Sequence, residues 1–229
     1  MSKPHLFVGN YNYSSWTLRP WLCLTWSGLA FDETLINLNQ DGYGEKKIAD
    51  VLAVSPTGTL PALRLGDETI WDSLAIAEWA AEAAPAARLW PQDAMARAVA
   101  RSVTCEMHAG FAGIRRDLSM NIRRRVVATG LPAETLGEIK RVDELWCTTR
   151  ARFGQGGAHL FGHRTIADAF YTPVATRFRT YGIALSASAQ AYCDALLADE
   201  AFAVWEQRVL SAPATPFARS QTDALYQAR

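Results

Sequence analysis

The chain is poor in the residues from which redox and metal centres are built. Cys23, Cys105, Cys147 and Cys193 lie far apart, no CxxC pair occurs, and His5, His108, His159 and His163 do not join them at metal-ligand spacing. This pattern argues against a disulfide framework, dithiol redox chemistry and a metal site. The cysteines are expected to be reduced core residues, as free cysteines commonly are. No apolar run approaches the roughly 20 residues needed to cross a bilayer. The longest candidate, residues 74–87, is interrupted by Glu78, Glu82 and Pro85. The opening MSKPHLFVGNYNYSS has no apolar core of signal-peptide length, so the expected address is cytoplasmic, with no membrane partner. Net charge is also lacking: the formal balance at pH 7 is +0, which argues against nucleic acid as a main partner.

What is present is the balance of a soluble globular protein, 49% hydrophobic and 20% charged. The charge is unevenly spread. Residues 1–83 carry 5 basic and 10 acidic side chains and the remainder 18 and 13, so the two parts hold about −5 and +5. Such asymmetry points to separate domains, expected at 1–83 and 92–229 with a linker at 84–91 bounded by Pro85 and Pro91.

The first part alternates strand-like and helix-like segments. His5 to Val8 reads as a buried strand, Trp16 to Ser27 as a helix capped by Gly28, and Phe31 to Asn37 as a second strand parallel to the first. Lys46 to Val54 reads as a weaker helix. Ala62 to Leu65 and Thr69 to Trp71 form a hairpin about Gly66-Asp67, and Asp72-Ser73 opens a helix to Ala83. The order is βαβαββα. Beyond the linker the periodicity is helical over 92–125, 132–153, 165–181, 187–197 and 200–210, so the second part is all-α. The last 17 or so residues are expected to be extended.

Three features of the first part can build a site. The helix starting near Ser15 carries partial positive charge at its N-terminus, which favours an anion or thiolate, and Ser14 and Ser15 place hydroxyls there. Either serine could equally be an ordinary N-cap. The Leu60-Pro61 step enters a short strand; were it cis, the backbone of Leu60 could pair with an extended peptide. Asp72-Ser73 could hold an ammonium and a carboxylate, that is, one amino acid, or could simply start its helix.

These segments together resemble the cytosolic glutathione S-transferases, over nearly the full chain. The resemblance rests on Pro61 in SPTGTLPAL, on IWDSLAIAEWAAE, and on TIADAFYTPV at Thr165. It implies an α/β thioredoxin-like N-terminal domain followed by an all-helical one, a cis Pro61, a homodimer, and glutathione as co-substrate held by Thr59, Leu60, Pro61, Asp72 and Ser73. It also implies that Thr165 and Asp168 are a buried capping box with a folding role.

The classes of that family differ in the residue facing the sulfur. In serine-type classes a hydroxyl sits five residues before an arginine of the first helix, and Arg19 puts Ser14 in that place, with Ser15 as the reserve candidate. Val8 occupies the tyrosine position, and no cysteine stands at the helix start. The resemblance is therefore to the serine-type classes, nearest the zeta and theta types. Pro20 and Thr59 depart from the family pattern; where Thr59 stands, many members have lysine or glutamine. For the electrophile, His108, Phe111 and Arg115 are spaced to share one face of the first long helix; Phe111 could equally be core. The run Arg123-Arg124-Arg125 reads as a solvated helix end. The expected function is conjugation of glutathione to a small hydrophobic or aromatic electrophile. Two alternatives stay open: a glutathione-dependent cis-trans isomerase of a maleyl compound, whose serine pair is followed by cysteine where this chain has Trp16, and a non-catalytic glutathione-binding protein.

Overall fold

The structure, a computed structural model, describes residues 3–213. They form two compact units, residues 3–89 and 90–213. The expectation for the last 17 residues lies, Pro213 apart, outside the described residues.

The first unit is a four-stranded sheet with helices, in the βαβαββα order that the sequence predicts. β1 (His5–Val8) pairs in parallel with β2 (Asp32–Leu35) through the crossover helix α1 (Ser15–Ser27). β3 (Ala62–Leu65) runs antiparallel to β1, and β4 (Glu68–Ile70) antiparallel to β3, giving the strand order β2-β1-β3-β4. Along β1, side chains alternate between faces. Phe7 joins Ile36, Ile48, Val51 and Ala62 in one buried cluster, while Leu6 and Val8 are fully buried on the opposite face. α1 ends where Gly28 takes a left-handed conformation (φ 73) and its N–H reaches Thr25 O. α3 (Ser73–Ala83) packs against α1.

Two details differ from expectation. α2 is one turn, Ala49–Leu52, because Lys46 has left-handed backbone (φ 58) and Ile48 is extended, so no helix forms across residues 46–48. α1 starts at Ser15, one residue before the expected Trp16, and Pro20 is its sixth residue, beyond the first turn, where a proline removes a helical N–H donor.

The second unit is helical: α4 (Ala94–Ala109), α5 (Ala112–Asp117), α6 (Ala133–Phe153), α7 (Ile166–Tyr181), α8 (Ala187–Leu197) and α9 (Glu200–Ser211). Every residue of α7 except Arg179 is buried, which makes it the central helix. Trp146 of α6 meets Tyr171 and Tyr192 edge-on, at 5.7 and 5.0 Å between ring centroids. The predicted capping box opens α7. The Asp168 carboxylate accepts from Thr165 N (2.8 Å), Thr165 Oγ1 (2.7 Å), Leu160 N (3.1 Å) and Tyr192 O–H (2.8 Å), all within the core.

The helix expected over 92–125 is two helices and an irregular tail with a turn at residues 122–123. Gly110 is extended and Phe111 left-handed (φ 59), which breaks the run before α5. The arginine run is therefore no helix end. Arg123 Nε donates to Val209 O at 2.9 Å, Arg125 Nη1 to Ile122 O at 2.7 Å, and Val126 N to Thr180 O at 2.8 Å. Of the four free cysteines, Cys23 and Cys193 are buried, but Cys105 is exposed and Cys147 half-buried, so the expectation of four core cysteines holds for two.

Candidate functional site

Strand register brings the sequence-predicted groups of the first unit together. Phe7 pairs with Ala62 and Leu63 with Ile70, so the end of β1, the start of β3 and the end of β4 share one edge of the sheet. The segments leaving or entering at that edge are the loop to Ser14, the Leu60-Pro61 step and the Asp72-Ser73 helix start. They line a cleft of about 560 Å³ with Ser14, Thr59, Leu60, Pro61, Asp72 and Ser73 all at its wall. The Leu60–Pro61 bond is cis, as the resemblance implied; the Trp71–Asp72 bond is also cis.

Ser14 occupies the N-cap position of α1 (φ −86, ψ 85), yet its hydroxyl caps no helix amide. It pairs instead with Thr17 Oγ1 at 2.7 Å, and Thr17 Oγ1 accepts the Gly9 N–H at 3.2 Å. A Cβ on Gly9 would fall 2.7 Å from Leu38 Cδ1 and 3.3 Å from Ser14 Cβ, so a side chain here would have to displace the end of Leu38. Ser15 is buried in the first turn of α1 and is not among the residues lining the cleft. Of the two serines, Ser14 is the one on the cleft wall.

At α3 the roles of the dipeptide divide. Asp72, not Ser73, is the N-cap: its Oδ1 accepts the Leu74 N–H at 2.9 Å. Ser73 is the first helical residue, wholly buried, and its Oγ has no hydrogen-bond partner among the described residues although it borders the cleft. A buried hydroxyl without a partner is uncommon and marks a place for one.

The cleft is also lined by residues that the sequence reading did not assign to the site. Tyr43, Lys46 and Trp16 line the cleft, and Lys46 is the one cation among the described lining residues. The signal for them was weak, since glycines 42 and 44 (φ 88 and 82) and the left-handed Lys46 make an irregular loop with no motif. Gly58 allows that loop to approach: a Cβ there would stand 2.5 Å from Lys46 O. Partial burial pushes the Tyr43 phenol above its ordinary pKa. Trp16 is 40% exposed, with the Arg19 guanidinium 4.5 Å from the centre of its ring.

His108, Phe111 and Arg115 do not share a helix face. His108 lies in α4, its ring 5.9 Å from that of Phe170; Phe111 is a buried joint residue; Arg115 lies in α5. The Arg115 guanidinium donates to Gly110 O at 3.0 Å and to Met107 O, closing the end of α4, and its burial lowers its pKa. The expected face failed because periodicity was carried through Gly110. Among the described residues there is no group of three or more His, Cys, Asp or Glu that could hold a metal, and no helix long and apolar enough to cross a membrane.

Comparison with known proteins agrees with this geometry. Residues 13–83 match the family model of the glutathione S-transferase N-terminal domain. A maleylacetoacetate isomerase of Mus musculus is 34% identical over 140 residues, covering 57% of this chain and 63% of that protein; two further curated relatives are covered over 49% and 42% of their length. The chain thus spans about half the length of the curated relatives it matches. A glutathione transferase homologue from Burkholderia with bound glutathione superposes with a TM-score of 0.70 at 19% identity, over 92% of this chain and 100% of that one. A theta-class glutathione S-transferase from Xanthomonas axonopodis, also with glutathione, gives 0.63 at 22% identity, over 94% and 100%. The chain carries a glutathione S-transferase N-terminal domain at residues 13–83, and its described residues have the glutathione transferase fold.

Proposed function

We propose that this protein is a glutathione S-transferase whose cleft binds glutathione, stabilises its thiolate through Ser14, and conjugates it to a small hydrophobic or aromatic electrophile. The observation that carries the reading is the buried, unpartnered Ser73 hydroxyl at the head of α3, in the same cleft as Ser14 and the Leu60–Pro61 step. In this reading Ser73 and the α3 amides take the γ-glutamyl carboxylate, where the helix terminus favours negative charge. Asp72 takes the neighbouring ammonium. The Leu60 backbone pairs with the cysteinyl unit, as in strand addition. Thr59 and Lys46 are at hand for the glycine carboxylate. The Burkholderia and Xanthomonas neighbours were crystallised with glutathione, which supports the same ligand here.

The sulfur then lies against Ser14. A free thiol has a pKa of about 8.5, so little is thiolate at neutral pH. A hydrogen bond to a charged group contributes about 1.5–3 kcal/mol, and one pKa unit is about 1.4, so Ser14 can lower the thiol pKa by roughly one to two units. The thiol proton passes to solvent, Ser14 keeps its own, and the thiolate attacks the electrophile. A homodimer, the remaining implication of the resemblance, and the cytoplasmic location expected from the sequence are part of the same proposal.

The murine relative favours a second reading, glutathione-dependent isomerisation of a maleyl compound. There the thiolate adds to the conjugated double bond, the resulting single bond rotates, and the thiolate leaves again. Trp16 directly follows the serine pair where that class has cysteine, which weighs towards conjugation. Steady-state assays with an aryl halide and with a maleyl ketone distinguish the two. A Ser14→Ala variant that turns over both at the wild-type rate sinks the role of Ser14 in either.

A further inference from the structure

Thr17 was not singled out by the sequence, yet it fixes the direction of the Ser14 hydrogen bond. Its side chain is fully buried on the first turn of α1. Its Oγ1 has two partners among the described residues: the Gly9 N–H, which donates to it at 3.2 Å, and Ser14 Oγ at 2.7 Å. A hydroxyl carries one proton, and a buried one is expected to find an acceptor. Gly9 N–H cannot accept, so the Thr17 proton goes to Ser14 Oγ. Ser14 then accepts from Thr17, and its own proton is left for an acceptor in the cleft.

We infer that Thr17 is a positioning residue that holds Ser14 as a one-way donor to the bound sulfur, through the chain Gly9 N–H to Thr17 O–H to Ser14 O–H to thiolate. This rests on the reading that Ser14 faces the thiol. The chain has consistent polarity: each link accepts from the one behind it and donates to the one ahead, which strengthens the terminal donor. Without Thr17, Ser14 Oγ has no fixed partner, and the helix start offers it backbone amides to cap instead, where its oxygen rather than its proton would be engaged. No proton is lost from the chain; the thiol proton passes to solvent.

The test measures the pKa of enzyme-bound glutathione from the ultraviolet absorbance of its thiolate across pH, in wild type, Thr17→Val, Thr17→Ser and Ser14→Ala. Thr17→Val keeps the shape and removes the hydroxyl; it should raise the bound thiol pKa by about half to one unit, while Thr17→Ser restores it. The KM for glutathione should change by less than about twofold, because the Asp72-Ser73 side is untouched, whereas kcat should fall about three- to tenfold below neutral pH and recover in alkali. A purely structural Thr17 would lower activity equally at all pH with the bound pKa unmoved, and that result overturns the inference. Ser14→Ala separates the two layers. If it leaves the thiol pKa unmoved, the underlying reading of Ser14 fails; if it raises the pKa and Thr17→Val does not, only the role of Thr17 fails. Should Thr17→Val not fold, Thr17→Ala is read by the same titration.

Discussion

Replacing Ser73 by alanine should weaken glutathione binding without weakening the fold. In most binding sites the two are entangled, because groups that touch the ligand also hold the chain. Here they are separated by one residue. Ser73 Oγ is buried without a hydrogen-bond partner among the described residues, while the N-cap bond to Leu74 comes from Asp72. If Ser73 donates to the γ-glutamyl carboxylate, its loss removes a hydrogen bond to a charged group worth about 1.5–3 kcal/mol. That is roughly 10- to 150-fold in Kd. The same change removes a buried polar group that is unsatisfied in the unliganded protein, and alanine is a good helix former, so the melting temperature should hold or rise. Asp72→Ala is the contrasting control: loss of the cap costs about 1 kcal/mol, or about 2–4 °C for a chain of this size, in addition to any loss of binding. Calorimetric titration with glutathione and thermal unfolding of the unliganded variants measure both quantities. A Ser73→Ala protein that unfolds like wild type and binds glutathione within about twofold of it would refute the assignment of α3 as the carboxylate site.

Two further predictions concern the frame of the cleft and the core. Gly58→Ala forces a side chain onto left-handed backbone (φ 67) and sets its Cβ 2.5 Å from the Lys46 carbonyl, so it should cost about 1–3 kcal/mol and shift the Lys46 loop; a urea midpoint equal to wild type would count against that contact. Burial pushes the Cys193 thiol up from 9.0 to about 12. The folded pKa lies above the unfolded one, so this stability is whole below about pH 9 and is lost as pH rises towards 12, by about 1.4 kcal/mol per pH unit. Tyr192 and Tyr43 have phenol pKa values raised in the same sense, while burial lowers that of Arg177 to about 9 and acts in the opposite sense, so the share of the thiol is a difference between two proteins. Urea unfolding of wild type and Cys193→Ala across about pH 9 to 12 should show stability that falls more steeply with pH in wild type, and equal slopes would refute the assignment.

The parts of this protein that short-range chemistry specifies were readable in its sequence. A strand such as His5–Val8 and a helix stop such as Gly28 are each decided within a few residues, and the capping box is a three-residue relation. The cleft was readable for a different reason: strand register puts the ends of β1 and β4 and the start of β3 on one edge, so residues 14, 60, 61, 72 and 73 had to meet. What escaped were features set by tertiary approach. Lys46 and Tyr43 reach the wall through an irregular loop that Gly58 admits, and no periodicity marks such a loop. Thr17 looked like any residue of an amphipathic turn until its partners were known. The face built from His108, Phe111 and Arg115 was an artefact of extending a 3.6-residue period across Gly110, where the chain turns. That Asp72-Ser73 opens a helix was legible, but which of the two caps it was not, because either residue type caps helices well.

The Asp168 carboxylate has a consequence for how the second unit opens. Its two oxygens take donors from three separate stretches of chain: the turn at Leu160, the threonine ahead of α7, and Tyr192 on α8. Each stretch that leaves takes a donor from a buried carboxyl group, where an unmade hydrogen bond is costly. The three stretches therefore behave as a single cooperative block. Amide protons at Leu160 and Thr165 should exchange with solvent only when that whole block opens, and at a common rate, although four residues of chain separate them.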